Sequence, residues 1–254
     1  MTDTPRSQCL SMASPSKLVL ITGANKGIGF EIARQIAAHH KGYHIVMGSR
    51  DVERGAKAAE ALQREGLSVE ALTIDVTDDR SITAAAEIVK AKFGRLDVLI
   101  NNAAIAIDGD RICAGRKMFE ETFATNNFGA AATTEAFIPL LEKSAAARVV
   151  FMSSDLASMG LRAGSEGRAN TVEEQSYRCS KAALNMLALG YAQRFRAQGW
   201  KVNIHSPGYT ATDMTDHRGT GTVEDGARGA VRLATLGEDG ETGTFSGKQG
   251  TIAW

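Results

Sequence analysis

Six short apolar runs, separated by longer amphipathic stretches, constrain this chain more than any other feature. The runs are KLVLIT (17–22), YHIVMGS (43–49), VEALTID (69–75), LDVLIN (96–101), ARVVFMSS (147–154) and KVNIHSP (201–207). They are rich in Val, Ile and Leu and mostly lack polar alternation, the pattern of strands covered on both faces. Between them, segments near 27–40, 51–65, 79–92, 116–143, 175–198 and 223–236 are dominated by Ala, Glu, Lys, Arg and Leu, residues of good helix propensity. Strands alternating with helices predict an α/β fold, a doubly wound parallel sheet with helices on both faces. Residues 17–254 read as one domain without internal repeats, and the Ser-, Thr- and Pro-containing residues 1–16 as a disordered N-terminal tail.

Charge narrows the partners. Lys plus Arg number 29 and Asp plus Glu number 29, so the formal net charge is zero. That balance predicts no nucleic-acid face and no polybasic membrane anchor. No apolar run reaches bilayer-spanning length, and the tail lacks a signal-peptide core. The three cysteines, Cys9, Cys113 and Cys179, are too few and too scattered for a disulfide framework or a zinc site. No metal and a cytoplasmic location are expected.

The first run ends in Thr22-Gly23-Ala24-Asn25-Lys26-Gly27-Ile28-Gly29, and a helix-like stretch follows at once. Glycines let a backbone turn sharply and approach a pyrophosphate, and a new helix offers free N–H groups and a positive dipole end. A glycine cluster by itself is also what any tight turn uses; the strand–turn–helix context is what gives it meaning. The second run closes with Ser49-Arg50, where an NAD-binding chain would carry an acid for the ribose hydroxyls. Arg50 is suited to pair with the 2′-phosphate of NADP, with Lys26 as a second cation near the same adenosine end. The alternative for Arg50 is a solvated surface residue, and Asp51 beside it reads as a helix N-cap. Asp75-Val76 closes the third run; the carboxylate suits either an adenine amino group or a helix N-cap. Asn101-Asn102-Ala103-Ala104 closes the fourth, where asparagines suit a turn and small residues leave room for a cofactor.

Tyr177 and Lys181 stand four apart at the start of a helix-like segment, on one face. Thr171 and Glu174 before them have capping-box spacing. A phenol of pKa near 10 is a poor proton donor at neutral pH, and a nearby ammonium lowers that pKa. Cys179 is expected to face away from Tyr177 as a packed thiol.

The motifs TGANKGIG, NNAA, FATNNFGA, VVFMSS, YRCSK and HSPGYTATDM, in this order, resemble the series of the short-chain dehydrogenase/reductase family over residues 17–214. Together with the Ser-Arg pair and Trp254 after a Gly-rich stretch, they are most similar to its carbonyl reductase-like members. The resemblance implies a Rossmann-type fold and NADP(H) as cofactor. It implies reduction of a ketone, aldehyde or quinone, with Tyr177 as general acid/base and Lys181 lowering its pKa and holding the nicotinamide ribose. Ser154, rather than Ser153, would orient the carbonyl. Asn126, rather than Asn127, would hold a water leading from Lys181 to solvent. Cofactor contacts would come from Gly23, Asn25, Lys26, Gly27, Ile28, Gly29, Arg50, Asp75, Val76, Asn102, Ala103, Tyr177, Lys181, Pro207, Gly208, Thr210 and Thr212; substrate contacts from Ser154, Tyr177 and Tyr209. Rival readings on the same scaffold are an isomerase or cyclase using NADP structurally, and a nucleotide sensor.

Two features depart from the family pattern. Ala104 replaces the usual glycine, and Ser154 and Tyr177 stand 23 apart, wider than usual. The extra residues, LRAGSEGRANTVEEQ, are expected to form part of a substrate wall within a loop at 160–175, with a second loop at 216–226. They border the helix face through which relatives dimerise, leaving both a monomer and a homo-oligomer open.

Overall fold

Alternate residues of the first strand, β1 (Lys17–Ile21), enter opposite cores: Leu18 and Leu20 face one, Val19 and Ile21 the other. This is why the run shows no polar alternation, for neither face meets water. The computed structural model describes residues 17–107, 115–164 and 173–254. The expected tail, Cys9, Cys113, Thr171 and most of the Gly/Arg/Glu-rich insertion lie outside the described residues.

The strands β1, β2 (Tyr43–Ser49), β3 (Val69–Thr73), β4 (Val98–Asn101), β5 (Arg148–Met152) and β6 (Lys201–His205) are parallel. The sheet order is β3-β2-β1-β4-β5-β6, extended by β7 (Phe245–Gly247) and an antiparallel β8 (Gly250–Thr251). The last two strands are too short to produce a recognisable apolar run. The order reverses between β1 and β4, and the crevice outside their carboxyl ends is where such sheets bind ligands.

Helices cover both faces. Ile82, Ala85 and Val89 of α3 (Asp79–Phe93), Phe137 and Leu141 of α5 (Ala130–Leu141), and Leu184 and Ala188 of α7 (Gln175–Arg194) pack on Leu20, Leu99 and Phe151. Ile32 and Ile36 of α1 (Gly27–His39), Leu62 of α2 (Val52–Arg64), and Ala230 and Leu233 of α8 (Val223–Ala234) pack on Ile21, Met47 and Ile100. Each fully buried Ile, Leu, Val or Phe among them contributes about 1.5–3 kcal/mol, and each alanine methyl less than about 1 kcal/mol. At the opposite end of the sheet the buried Asp97 carboxylate accepts from Leu18 N, Ser144 Oγ and Arg95 Nε, which offsets its desolvation.

Several expectations are corrected. The single helix expected over 116–143 is divided: α4 (Arg116–Phe123) and α5 flank a π-helical segment, Ala124–Gly129. Gly129 lies so close to β3's exit that a Cβ there would stand 2.6 Å from the carbonyl of Val76. A π segment adds a residue to one turn and so re-aims a side chain, here Asn126. Asp51 does cap α2, accepting from Arg54 N, but the cap of α3 is Asp78 and not Asp75. Glu174 is no capping-box partner: it is itself the N-cap residue of α7, with a left-handed φ of 59°. The loops are shorter than expected, because α6 (Met159–Ala163) occupies the start of 160–175 and α8 begins inside 216–226. Cys179 is exposed rather than packed.

Candidate active site

The carboxyl ends of β1 and β4 are laced together before any ligand is considered. Thr22 Oγ1 accepts from the backbone nitrogens of Asn102 and Ala103, both at 3.0 Å. The Asn102 amide donates back to the carbonyls of Thr22 and Gly23, at 2.9 and 3.1 Å. Asn102 is thus the turn-stabilising asparagine of the pair, while Asn101 donates inward to Thr134. Gly29 lies against this knot: a Cβ there would be 2.5 Å from the Asn102 amide nitrogen and 2.6 Å from the Gly23 carbonyl. Gly23 and Gly27 hold φ of 65° and 58°, a region L side chains rarely adopt. Asn25 and Ile28 are half-buried within the same turn.

Helix α1 starts with no side-chain cap and no acidic residue in its first turn. Its leading N–H groups and positive dipole end therefore suit an anion. A Cβ on Gly27 would meet only Thr212, at 3.7 Å, so the turn is open toward the loop after β6. These features fit the pyrophosphate of a dinucleotide.

At the exit of β2, Ser49 is buried and its hydroxyl is engaged with the backbone of Asp51, whereas Arg50 is exposed. Asp75 accepts from Thr77 N and Thr77 Oγ1. Burial raises its pKa, but the two Thr77 bonds and the Arg50 charge outweigh that and hold the carboxyl below its ordinary range. Val76 follows, nearly buried against Gly129. The Lys26 ammonium is bound at 2.5 Å to Asp213, on the loop after β6.

The chemical end is assembled by α7 and the exits of β5 and β6. Lys181 is buried, donates to the carbonyl of Met152 at 2.7 Å, and stands 5.7 Å from the Tyr177 ring centre. Burial pushes its pKa down to about 7. Tyr177 is half-buried on the same helix. Ser153 is turned inward to Asn185, at 2.6 Å. Ser154 caps the short 3₁₀ turn Asp155–Ala157, accepting from Leu156 N. Asn126 is fully enclosed: its amide pairs with both the N–H and the carbonyl of Ile105, at 2.8 Å each, and donates to Ser180 Oγ at 3.0 Å. Ser180 in turn donates to the carbonyl of Tyr177. The side-chain nitrogen of Asn127 is buried without a partner among the described residues.

After β6, Pro207, Gly208 and half-buried Tyr209 lead into the loop. Thr210 is buried and its hydroxyl is spent on the carbonyls of Pro207 and Gly208, so it shapes the loop rather than facing outward. Thr212 faces Gly27. Ser206 was missed by sequence reasoning. Its hydroxyl accepts from Asp155 N at 2.9 Å and Gly208 N at 3.3 Å, joining the exits of β5 and β6. A serine before a proline carries no sequence signal for such a role.

Residues 17–222 match the family described as short chain dehydrogenase. The chain belongs to the short-chain dehydrogenase/reductase family. This short-chain dehydrogenase is 40% identical to the short-chain dehydrogenase/reductase ATR10 of Stachybotrys chlorohalonatus, over 93% of this chain and 90% of that protein. It is 34% identical to the (+)-neomenthol dehydrogenase of Arabidopsis thaliana, over 87% of this chain and 92% of that one. Among solved structures, NADPH-bound carbonyl reductase from chicken fatty liver superposes with a TM-score of 0.79 at 30% identity, covering 94% of this chain and 99% of that one. As a family member the short-chain dehydrogenase is an oxidoreductase with the expected Rossmann-type fold. Among the described residues no helix is long and apolar enough to cross a membrane.

Proposed function

We propose that this short-chain dehydrogenase reduces the carbonyl of a small ketone, aldehyde or quinone, using NADPH. One observation carries the reading: a buried lysine of lowered pKa lies one helical turn from Tyr177, held against the strand end that carries Ser154. Relatives named as carbonyl reductase and neomenthol dehydrogenase support the same chemistry.

The glycine turn with Gly23, Gly27 and Gly29, the first turn of α1, and Asn102 and Ala103 would hold the pyrophosphate region. Arg50 would pair with the 2′-phosphate, Asp75 and Val76 would border the adenine, and Pro207, Gly208 and Thr212 the nicotinamide. When bound, the nicotinamide supplies the hydride. Ser154 Oγ donates to the carbonyl oxygen and fixes its direction. Tyr177 gives its phenolic proton to that oxygen as charge develops there. The charged form of Lys181 favours the phenolate that remains. Asn126, locked to Ile105 and Ser180, keeps the π segment and α7 in fixed relation. Tyr209 lines the substrate side.

The test is a panel of aldehydes, ketones and quinones followed by NADPH absorbance, with NADH as control. Turnover with NADPH that Tyr177→Phe abolishes, while the variant still binds NADPH, supports the assignment. Full activity in Tyr177→Phe removes it.

A further inference from the structure

Lys181 and Asn185 stand one turn apart on α7 and meet consecutive residues at the exit of β5. Lys181 Nζ donates to the Met152 carbonyl at 2.7 Å, and Ser153 Oγ donates to Asn185 Oδ1 at 2.6 Å. Ser153 N also donates to the His205 carbonyl at 2.7 Å, which anchors the same residue to β6. Both Ser153 and Asn185 are buried, and no chemical step uses either. Two buried polar side chains are costly unless paired, and an apolar pair of the same shape would serve packing as well. What the bond adds is register. Lys181 is a flexible stem with rotatable donors and by itself leaves α7 free to rotate and slide a little against β5. A short second bond one turn further removes that freedom. Tyr177 lies one turn to the other side of Lys181, and Ser154 directly follows Ser153. Fixing α7 against β5 at both points therefore sets the separation of the Ser154 and Tyr177 hydroxyls.

We propose that Asn185 is a positioning residue for carbonyl reduction, acting through the Ser153 hydroxyl to hold Ser154 in register with Tyr177. The inference rests on the reductase reading above. The test compares wild type, Ser153→Ala, Asn185→Leu and the double variant. Each is assayed for kcat, for the pH midpoint of kcat/KM and for NADPH dissociation constant by nucleotide fluorescence. Each single variant lowers kcat by about 10- to 100-fold, the loss expected of a misplacement near 1 Å. The NADPH dissociation constant stays within about twofold and the pH midpoint does not move, because neither the cofactor site nor the titrating groups are altered. The double variant is no slower than the slower single, since both remove one bond. Ser153→Ala changes shape least and decides the matter by itself if Asn185→Leu does not fold. Near wild-type kcat in Ser153→Ala overturns the proposal, as do losses that multiply in the double variant or a shifted pH midpoint. A wild type that turns over no carbonyl removes the reductase reading and this inference with it. An active wild type with silent variants removes the inference alone.

Discussion

Lys181 Nζ donates to the main-chain carbonyl of Met152 at 2.7 Å, across the gap between α7 and the exit of β5. A charged group is thereby placed where almost no water reaches it, and burial takes its pKa from 10.5 to about 7.

That shift has a stability consequence with a definite sign. Between about pH 7 and pH 10.5 the unfolded chain binds a proton at Lys181 that the folded chain does not. The burial penalty is paid in full below about pH 7 and is relieved as the pH rises through this window, with a slope of at most about 1.4 kcal/mol per pH unit. Lys181→Met is expected to lose this slope and nearly all turnover. Thermal unfolding of both proteins across the window checks it; parallel Tm curves for the two would contradict the burial.

Gly29→Ala is expected to disrupt the glycine turn, because the added carbon meets the Asn102 amide and the Gly23 carbonyl below 3 Å. Overpacking of this kind costs about 1–3 kcal/mol. Titration by nucleotide fluorescence is expected to show NADPH binding weakened by about tenfold or more, with a lower Tm. Unchanged affinity would mean that the turn does not form the cradle.

Arg50→Ala is expected to raise KM for NADPH by about 10- to 100-fold, the worth of a charge-assisted contact, and to leave KM for NADH nearly unchanged. Kinetics with both nucleotides at fixed carbonyl concentration measure the ratio. Equal effects on the two would show that Arg50 does not read the 2′-phosphate.

The Lys26–Asp213 pair is short, yet both side chains are more than half exposed. Its direct Lys26 bond holds the Asp213 carboxyl below its usual range, but solvent and salt screen such pairs. Asp213→Asn is therefore expected to move Tm by no more than about 2–4 degrees at physiological salt. Differential scanning fluorimetry settles it, and a large drop would show the crevice mouth to be a structural clamp.

The parallel sheet was legible because its strands are buried on both faces, so LVLI at 18–21 or VVF at 149–151 needs no partner to be recognised. The glycine turn was legible because its glycines answer local needs of backbone shape. The π segment at Asn126 was not, because its cause lies in distant neighbours, Val76 and Ile105. β7 and β8 were not, because two or three residues carry no period.

What the sequence by itself determined is everything that arises from periodicity and from neighbours along the chain: the alternating elements, the helix cap at Asp51, and Tyr177 and Lys181 on one helical face. The tertiary structure alone decided which atoms meet across the sheet. It turned Ser153 inward to Asn185, bound Lys26 to Asp213, and joined two strand ends through Ser206. The physical reason is that a hydrogen bond or ion pair between residues far apart in the chain depends on strand order and register, and those exist only once both cores have packed.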